Sequence, residues 1–374
     1  MPGPVIVTVV GTRPEIIRLS RVIARLDEVA TQILVHTGQN YDHQLNEVFF
    51  NELAIRKPDH FLGVETSSLG AVLGDTLRRI EPILVETRPD ALLVLGDTNS
   101  AIAALMAKRM AIPVYHMEAG NRSFDENVPE ETNRRMIDHI ADFNFPYTEH
   151  ARRNLLHEGL SPRRISLTGS PMREVVDYYR PQIDASDVLD RLGVTRGEFF
   201  LVSAHRQENV DSPARLADLV DSLRAVAERW GYPVLVSTHP RTRQRLEALD
   251  GFEEIEGVVF HDPFGFLDYC QLQLNATCVL SDSGTVSEES AILGFPAITI
   301  RDSMERPEAL DAGTIVMTGL RRDEVLRGIE EAMTPYSTPR QLPAGYEIDD
   351  TSRRVVRFML STIGRHHAWA GIRR

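Results

Sequence analysis

Short apolar runs bounded by turn residues alternate with amphipathic stretches along this chain, and the whole alternation occurs twice. Val5–Val10, Gln32–His36, Ala91–Leu95, Pro113–Met117, Asp142–Pro146 and Arg164–Leu167 read as strands of a first series. Phe199–Ser203, Val234–Ser237, Gly257–Phe260, Thr277–Leu280 and Ala297–Ile300 form a second. Near-continuous apolar runs suit parallel strands covered on both faces, and helix-length segments between them suit βαβ units. Helices are expected at Glu15–Leu26, His43–Glu52 and Leu69–Glu86, with Pro82 a candidate kink. In the second series they are expected at Ser212–Arg229, Phe266–Leu274, Val286–Leu293 and Asp323–Met333. The pattern predicts an α/β fold of two Rossmann-like domains facing across a cleft.

Domain boundaries follow from the same pattern. Residues 1–180 form the expected first domain, and a polar stretch from Arg180 to Gly197 reads as the connection. Residues 181–350 form the second, and 351–374 hold a last helix that could cross back onto the first. A length of 374 residues is ample for two cores of ordinary size. A net charge of −13 argues against a nucleic-acid partner, while local arginines can still set the field of a cleft for a small anion. The basic residues include only two lysines, Lys57 and Lys108, neither in a plausible cofactor loop. That argues against a phosphate-loop NTPase and a Schiff-base enzyme. Cys270 and Cys278 lack metal-ligand companions and read as reduced, half-buried thiols. Val5–Val10 is too short for a signal-peptide core, and no apolar stretch approaches a membrane span, so a cytoplasmic protein without a membrane partner is expected.

Chemistry-bearing residues cluster where strands of such sheets meet their loops, the place where open α/β sheets bind ligands. Ala91–Leu95 runs into Gly96-Asp97-Thr98, and Pro113–Met117 runs into Glu118-Ala119-Gly120. Asp97 could instead cap the helix after it. Glu118 is followed by poor capping residues, which favours function. Gly11-Thr12-Arg13-Pro14-Glu15 places a glycine turn, a helix start and an arginine together, a weak signature of an anion site. In Asn127-Val128-Pro129-Glu130-Glu131-Thr132-Asn133-Arg134-Arg135, Glu130 and Glu131 read in isolation as ordinary first-turn acids of a helix. In the second series, Ser203-Ala204-His205-Arg206 offers a proton donor beside a guanidinium. His239-Pro240-Arg241 repeats the theme. Leu280-Ser281-Asp282-Ser283-Gly284-Thr285 lets a diphosphate approach a helix start closely. Arg301-Asp302-Ser303-Met304-Glu305-Arg306-Pro307-Glu308 supplies further guanidinium. Cations on one half and carboxylates on the other suit a nucleotide diphosphate sugar.

These clusters, in this order, resemble the non-hydrolysing UDP-N-acetylglucosamine 2-epimerases over roughly Val5 to Met333. The combination GTRPE, GDT, EAG, PEE-NR, HR, DSG-EE and RD-ERPE carries the resemblance. It implies two Rossmann-like domains in the glycosyltransferase-B arrangement, a homodimer, a UDP-N-acetylhexosamine substrate and no metal or other cofactor. It implies catalytic roles for Asp97, Glu118, Glu130 and His205, so that Glu130 becomes more than a first-turn acid. It implies UDP contacts from Arg13, Ser283, Gly284, Glu289 and Arg306, with Arg206 beside His205 and Tyr269 where an aromatic residue accompanies uracil. Departures are present: Arg18 stands where a substrate-pocket lysine is common, Thr285 replaces the second glycine of Ser-Gly-Gly, and Phe264 replaces a frequent glutamine. Gly38-Gln39-Asn40-Tyr41-Asp42 departs from the Ala-Gln-His-Arg run of enzymes that substrate activates allosterically. The segments around Arg18, Glu118 and Asp282 look closer to a branch that forms UDP-N-acetyl-L-fucosamine from a UDP-2-acetamido-2,6-dideoxy-L-talose. The implied route is UDP elimination to a 2-acetamidoglycal and re-addition. A glycosyltransferase of the same architecture is the competing interpretation.

Overall fold

The computed structural model describes residues 3–39, 49–50, 52–238, 240–248, 255–336 and 341–373, with backbone alone at 207, 240 and 241. The chain divides into two compact units, Met1–Tyr178 with Ala344–Arg374 and Tyr179–Pro343. The first unit is built on a parallel sheet of β1 (Val5–Val10), β2 (Thr31–His36), β3 (His60–Phe61), β4 (Ala91–Leu95), β5 (Val114–Met117) and β6 (Phe143–Phe145). Its order is β3-β2-β1-β4-β5-β6, so strand order reverses between β1 and β4. Helices cover the faces, which is why β4 is buried at every residue and β1 at all but its first. The registers Thr8↔Leu93 and Leu95↔Met117 bring the ends of β1, β4 and β5 to one edge of the sheet. The helix Thr351–Thr362 packs on the helix Arg13–Val29 and so returns the chain to this unit. Two bonds secure the return: the Ser170 N–H donates to the Gly345 carbonyl at 2.9 Å, and the Thr351 hydroxyl to the Ser170 carbonyl at 3.0 Å.

The second unit repeats the plan with β7 (Phe200–Ser203), β8 (Val234–Ser237), β9 (Val258–His261), β10 (Cys278–Ser281), β11 (Ala297–Thr299) and β12 (Val316–Met317). The order β12-β11-β10-β7-β8-β9 is the first sheet's order again, reversing between β7 and β10. Each unit is therefore a doubly wound Rossmann-like α/β unit.

Several local expectations are corrected. Arg164–Leu167 is not a strand: Pro162–Arg164 forms a single 3-10 turn, and only an isolated bridge joins Ile165 to Asn144. The edge strands β3 and β12 add to the expected set, because two residues carry no periodic signal. Pro82 lies within the helix Leu69–Thr87 without ending it, and the helix Met172–Asp184 runs through Pro181 into the supposed connection. Most of the expected helix His43–Glu52 lies outside the described residues. Cys270 and Cys278 are buried rather than half-buried, and burial pushes the Cys278 thiol up to about 12. Among the described residues no helix is long and apolar enough to cross a membrane.

Candidate active site

At the first unit's strand-order reversal, Gly11 is a steric requirement: a Cβ there would stand 2.3 Å from Thr37 Oγ1. Behind it Glu15 is buried and accepts four hydrogen bonds. Its Oε2 takes the Gly11 and Thr12 amides at 2.6 and 2.7 Å, and its Oε1 takes the Thr98 hydroxyl at 2.6 Å and that of Ser100. Burial raises the Glu15 carboxyl above its ordinary range against the pull of those donors. Glu15 thus staples the β1 loop to the β4 loop, where Asp97 sits. Arg13 begins the helix beside Glu15, half-buried, with its guanidinium carbon 5.4 Å from the centre of the Phe49 ring.

Asp97 does not cap the structure after it. Thr98 takes that position for the 3-10 turn Asn99–Ile102, while the Asp97 carboxylate accepts two hydrogen bonds from Arg134, one of them at 3.0 Å from Nε. Asn133 Nδ2 donates to the Asp97 carbonyl at 3.0 Å. Both partners lie on the helix Pro129–Ile140. Glu130 precedes them by three and four positions, the spacing that places side chains on one helix face. Among the described residues the Glu130 carboxylate has no hydrogen-bond or ion-pair partner and is half-buried. Its neighbour Glu131 is different. It is buried and accepts from the Ser123 amide and from Arg134 at 2.7 Å. Burial alone would raise the Glu131 carboxyl, but those partners hold it below its ordinary range.

Glu118 follows β5 with φ +63°, a left-handed conformation that costs a non-glycine residue about 1–2 kcal/mol. The turn carries its carboxylate back toward β4: a Cβ on Gly96 would stand 4.0 Å from Glu118 Oε2. There it pairs with Arg18, whose side chain is 3% exposed. Arg18, the departure from the common lysine, is therefore the buried countercharge of Glu118.

At the second unit's reversal, the loops after β7 and β10 are bound together by Asp282, which is buried. Its carboxylate accepts from the His205 amide at 3.0 Å, the Arg206 amide at 3.0 Å and Asn209 Nδ2 at 3.0 Å. The His205 ring is 48% exposed, with Nδ1 3.4 Å from Asp282. Ser283 Oγ lies 2.9 Å from Thr285 Oγ1 at the start of the helix Val286–Leu293, so Thr285 uses its hydroxyl where a second glycine would have none. Arg306 donates to the Gly284 carbonyl, and Arg206 approaches the same glycine. A Cβ there would stand 3.2 Å from Arg306 Nη1 and 3.5 Å from Arg206 Nη2. Two guanidiniums converging on a helix start suit a diphosphate. Glu289 accepts from Gln273 at 2.6 Å. The Tyr269 phenol is raised by burial and by the Glu289 carboxylate, against a hydrogen bond with Ser203. Phe264 lies against the His261 ring at 5.5 Å.

Glu15 and Asp282 were present only as letters of the motifs. Glu15 carried a local signal, a carboxylate three and four residues after the turn amides it binds, whereas Asp282 binds amides 76 and 77 positions away and carried none. His239 and residues Asn40–Asp42 lie outside the described residues.

The comparisons with known proteins show the family. A family model described as UDP-N-acetylglucosamine 2-epimerase matches residues 24–360. The solved UDP-N-acetylglucosamine 2-epimerase of Rickettsia bellii is 42% identical with a TM-score of 0.92, covering 99% of this chain and 100% of that one. The UDP-GlcNAc 2-epimerase of Methanocaldococcus jannaschii, solved in complex with UDP-GlcNAc and UDP, is 33% identical with a TM-score of 0.89, covering 96% and 99%. The UDP-2,3-diacetamido-2,3-dideoxy-D-glucuronate 2-epimerase of Pseudomonas aeruginosa is 36% identical over 335 residues, 88% of this chain and 91% of that protein. This chain belongs to the non-hydrolysing UDP-N-acetylglucosamine 2-epimerase family and is an isomerase.

Proposed function

We propose that this enzyme inverts C2 of a UDP-2-acetamido sugar by eliminating UDP and adding it back. The substrate is UDP-GlcNAc, giving UDP-ManNAc, or a UDP-2-acetamido-2,6-dideoxy-L-talose, giving UDP-N-acetyl-L-fucosamine, for cell-surface polysaccharide. The solved relative that binds UDP-GlcNAc supports the nucleotide and the acetamido group. The relative named for a diacetamido-glucuronate supports tolerance of changes elsewhere on the ring. The working form is a cytoplasmic homodimer.

The observation that carries the proposal is Glu118. A carboxylate held in a left-handed turn, beside Gly96 and against a buried arginine, is placed at a cost that packing alone does not require. In the ground state the C2 hydrogen is poorly acidic. Breaking the C1–O bond to UDP builds positive charge at C1 and makes that hydrogen removable. One carboxylate among Asp97, Glu118 and Glu130 takes the C2 proton as the C1–C2 double bond forms and UDP departs. A second acid returns a proton to the opposite face while UDP re-adds at C1. In the second unit Arg206, His205, Arg306 and the Ser283–Thr285 helix start would carry the leaving diphosphate, with Glu289 and Tyr269 toward the nucleoside; in the first, Arg13 would offer a guanidinium to an anion and Arg18 would steady Glu118.

The test is to incubate the full chain in deuterated water with UDP-GlcNAc and, separately, with the UDP-6-deoxy-L-talose derivative, following both by NMR. Deuterium at C2 of an intact nucleotide sugar is expected in one arm, which names the substrate. Release of UDP and free sugar, or inversion without deuterium, overturns the proposal.

A further inference from the structure

The β4 and β5 strands stop pairing one rung before their loops, and a side chain completes the missing rung. The Leu92 N–H donates to the Pro113 carbonyl at 2.9 Å and the Gly96 N–H to the Met117 carbonyl at 3.0 Å. The two-residue period of a parallel ladder puts the next bond from the Ala119 N–H to the Gly96 carbonyl. Glu118, at φ +63°, turns the chain out of the strand before that bond can form. His116 Nε2 occupies the vacancy, 2.8 Å from the Gly96 oxygen. A carbonyl only accepts, so this nitrogen carries the hydrogen.

The opposite edge of the ring faces Asp138, with Nδ1 2.9 Å from its Oδ1, a close contact without an aligned hydrogen bond. That carboxylate accepts from the Gly120 amide at 3.1 Å and from Arg122 Nη1 at 2.7 Å. Arg122 in turn donates to Glu158. His116 and Asp138 are both 0% exposed. One buried carboxylate therefore braces positions 116, 120 and 122, which bracket Glu118, and through the imidazole it reaches Gly96, the residue before Asp97. An apolar side chain of similar size would fill this space without desolvating ions, so packing does not account for the cluster.

We propose that His116, braced by Asp138, is a positioning residue that sets the spacing of the Asp97 and Glu118 loops; for its catalytic consequence this rests on the epimerase proposal above. The ring takes the place of a backbone rung, which frees Glu118 to turn inward while the β4 loop stays fixed. Neither residue touches substrate.

The test compares full-length His116→Leu and His116→Gln with wild type. The glutamine amide can still donate to the Gly96 carbonyl, while leucine fills the space alone. For His116→Leu, kcat is expected to fall about 10- to 100-fold with KM and UDP affinity nearly unchanged. Amide exchange over residues 96–100 and 118–122 should accelerate in the same variant. His116→Gln should restore slow exchange and most of kcat. A folded His116→Leu with near-wild-type kcat and exchange overturns the proposal, as does a glutamine variant as impaired as leucine. If leucine prevents folding, His116→Gln and Asp138→Asn decide: slow exchange in the first with faster exchange in the second supports the proposal, and the reverse overturns it. A wild type inert on both nucleotide sugars, with exchange still altered by leucine and restored by glutamine, would overturn the epimerase proposal and leave the positioning role supported.

Discussion

Removing the Glu15 carboxyl in two ways separates what its charge does from what its oxygens do. Glu15 is buried and both its oxygens accept, two backbone amides on one and two hydroxyls on the other. Glu15→Ala leaves the Gly11 and Thr12 amides without their acceptor. A buried N–H so orphaned costs about 1–3 kcal/mol, so the pair costs about 2–6 kcal/mol, a large share of a typical folding free energy. Glu15→Gln keeps an oxygen toward those amides, and its NH2 can donate to the Thr98 and Ser100 hydroxyls, which rotate to suit. Its cost at neutral pH is expected to be within about 1 kcal/mol, or a net gain, because the charge is no longer buried. Burial raises the folded-state value of Glu15 above its ordinary 4.5. The folded protein then binds more protons than the unfolded chain between those two values, so this group's contribution falls as pH rises from 4.5 through the raised value. The wild type should therefore lose ground to Glu15→Gln across that window. Urea unfolding measures it, with Trp369 as reporter for the first unit once Trp230, in the second, is replaced by phenylalanine. A glutamine variant as unstable as alanine, or a wild type that gains on it with rising pH, refutes the reasoning.

Two other substitutions test the remaining structure. Gly284→Ala places a methyl 3.2 Å from Arg306 Nη1 and 3.5 Å from Arg206 Nη2 without backbone strain. Folding should change by less than about 1 kcal/mol while the Kd for UDP, read by calorimetry, rises about 10-fold; unchanged UDP binding would remove the diphosphate cradle from Gly284. Arg122→Met takes the guanidinium from the buried Asp138, leaving it the Gly120 amide and His116, and should destabilise the first unit by about 3–5 kcal/mol in the same urea assay. Arg122 also holds the Glu158 carboxyl below its ordinary 4.5, a contribution complete above that value and lost as pH falls through the lowered one. The variant should lack that acid-side slope, and a retained slope would count against the pairing.

Much of the fold was legible because parallel strands buried on both faces have to be apolar throughout. Ala91–Leu95 and Phe200–Ser203 announce themselves for that reason. The edge strands His60–Phe61 and Val316–Met317 did not, since a partly exposed pair of residues paired on one side needs no such run. Arg164–Leu167 has strand composition, but the turn at Pro162–Arg164 takes its first residue and only one bridge forms.

Composition and order alone determined two βαβ series, the loops that carry Asp97, Glu118, His205 and Ser283, and the family resemblance, because burial period and turn chemistry are local. Tertiary structure decided which charges meet. Arg18 finds Glu118 one hundred positions away, Asp282 finds the His205 loop 77 positions back, and Asp138 on the helix Pro129–Ile140 reaches His116 on β5. Their separations along the chain carry no periodicity. Only the sheet order, which lays β1 beside β4 and β7 beside β10, converts distant letters into neighbouring side chains.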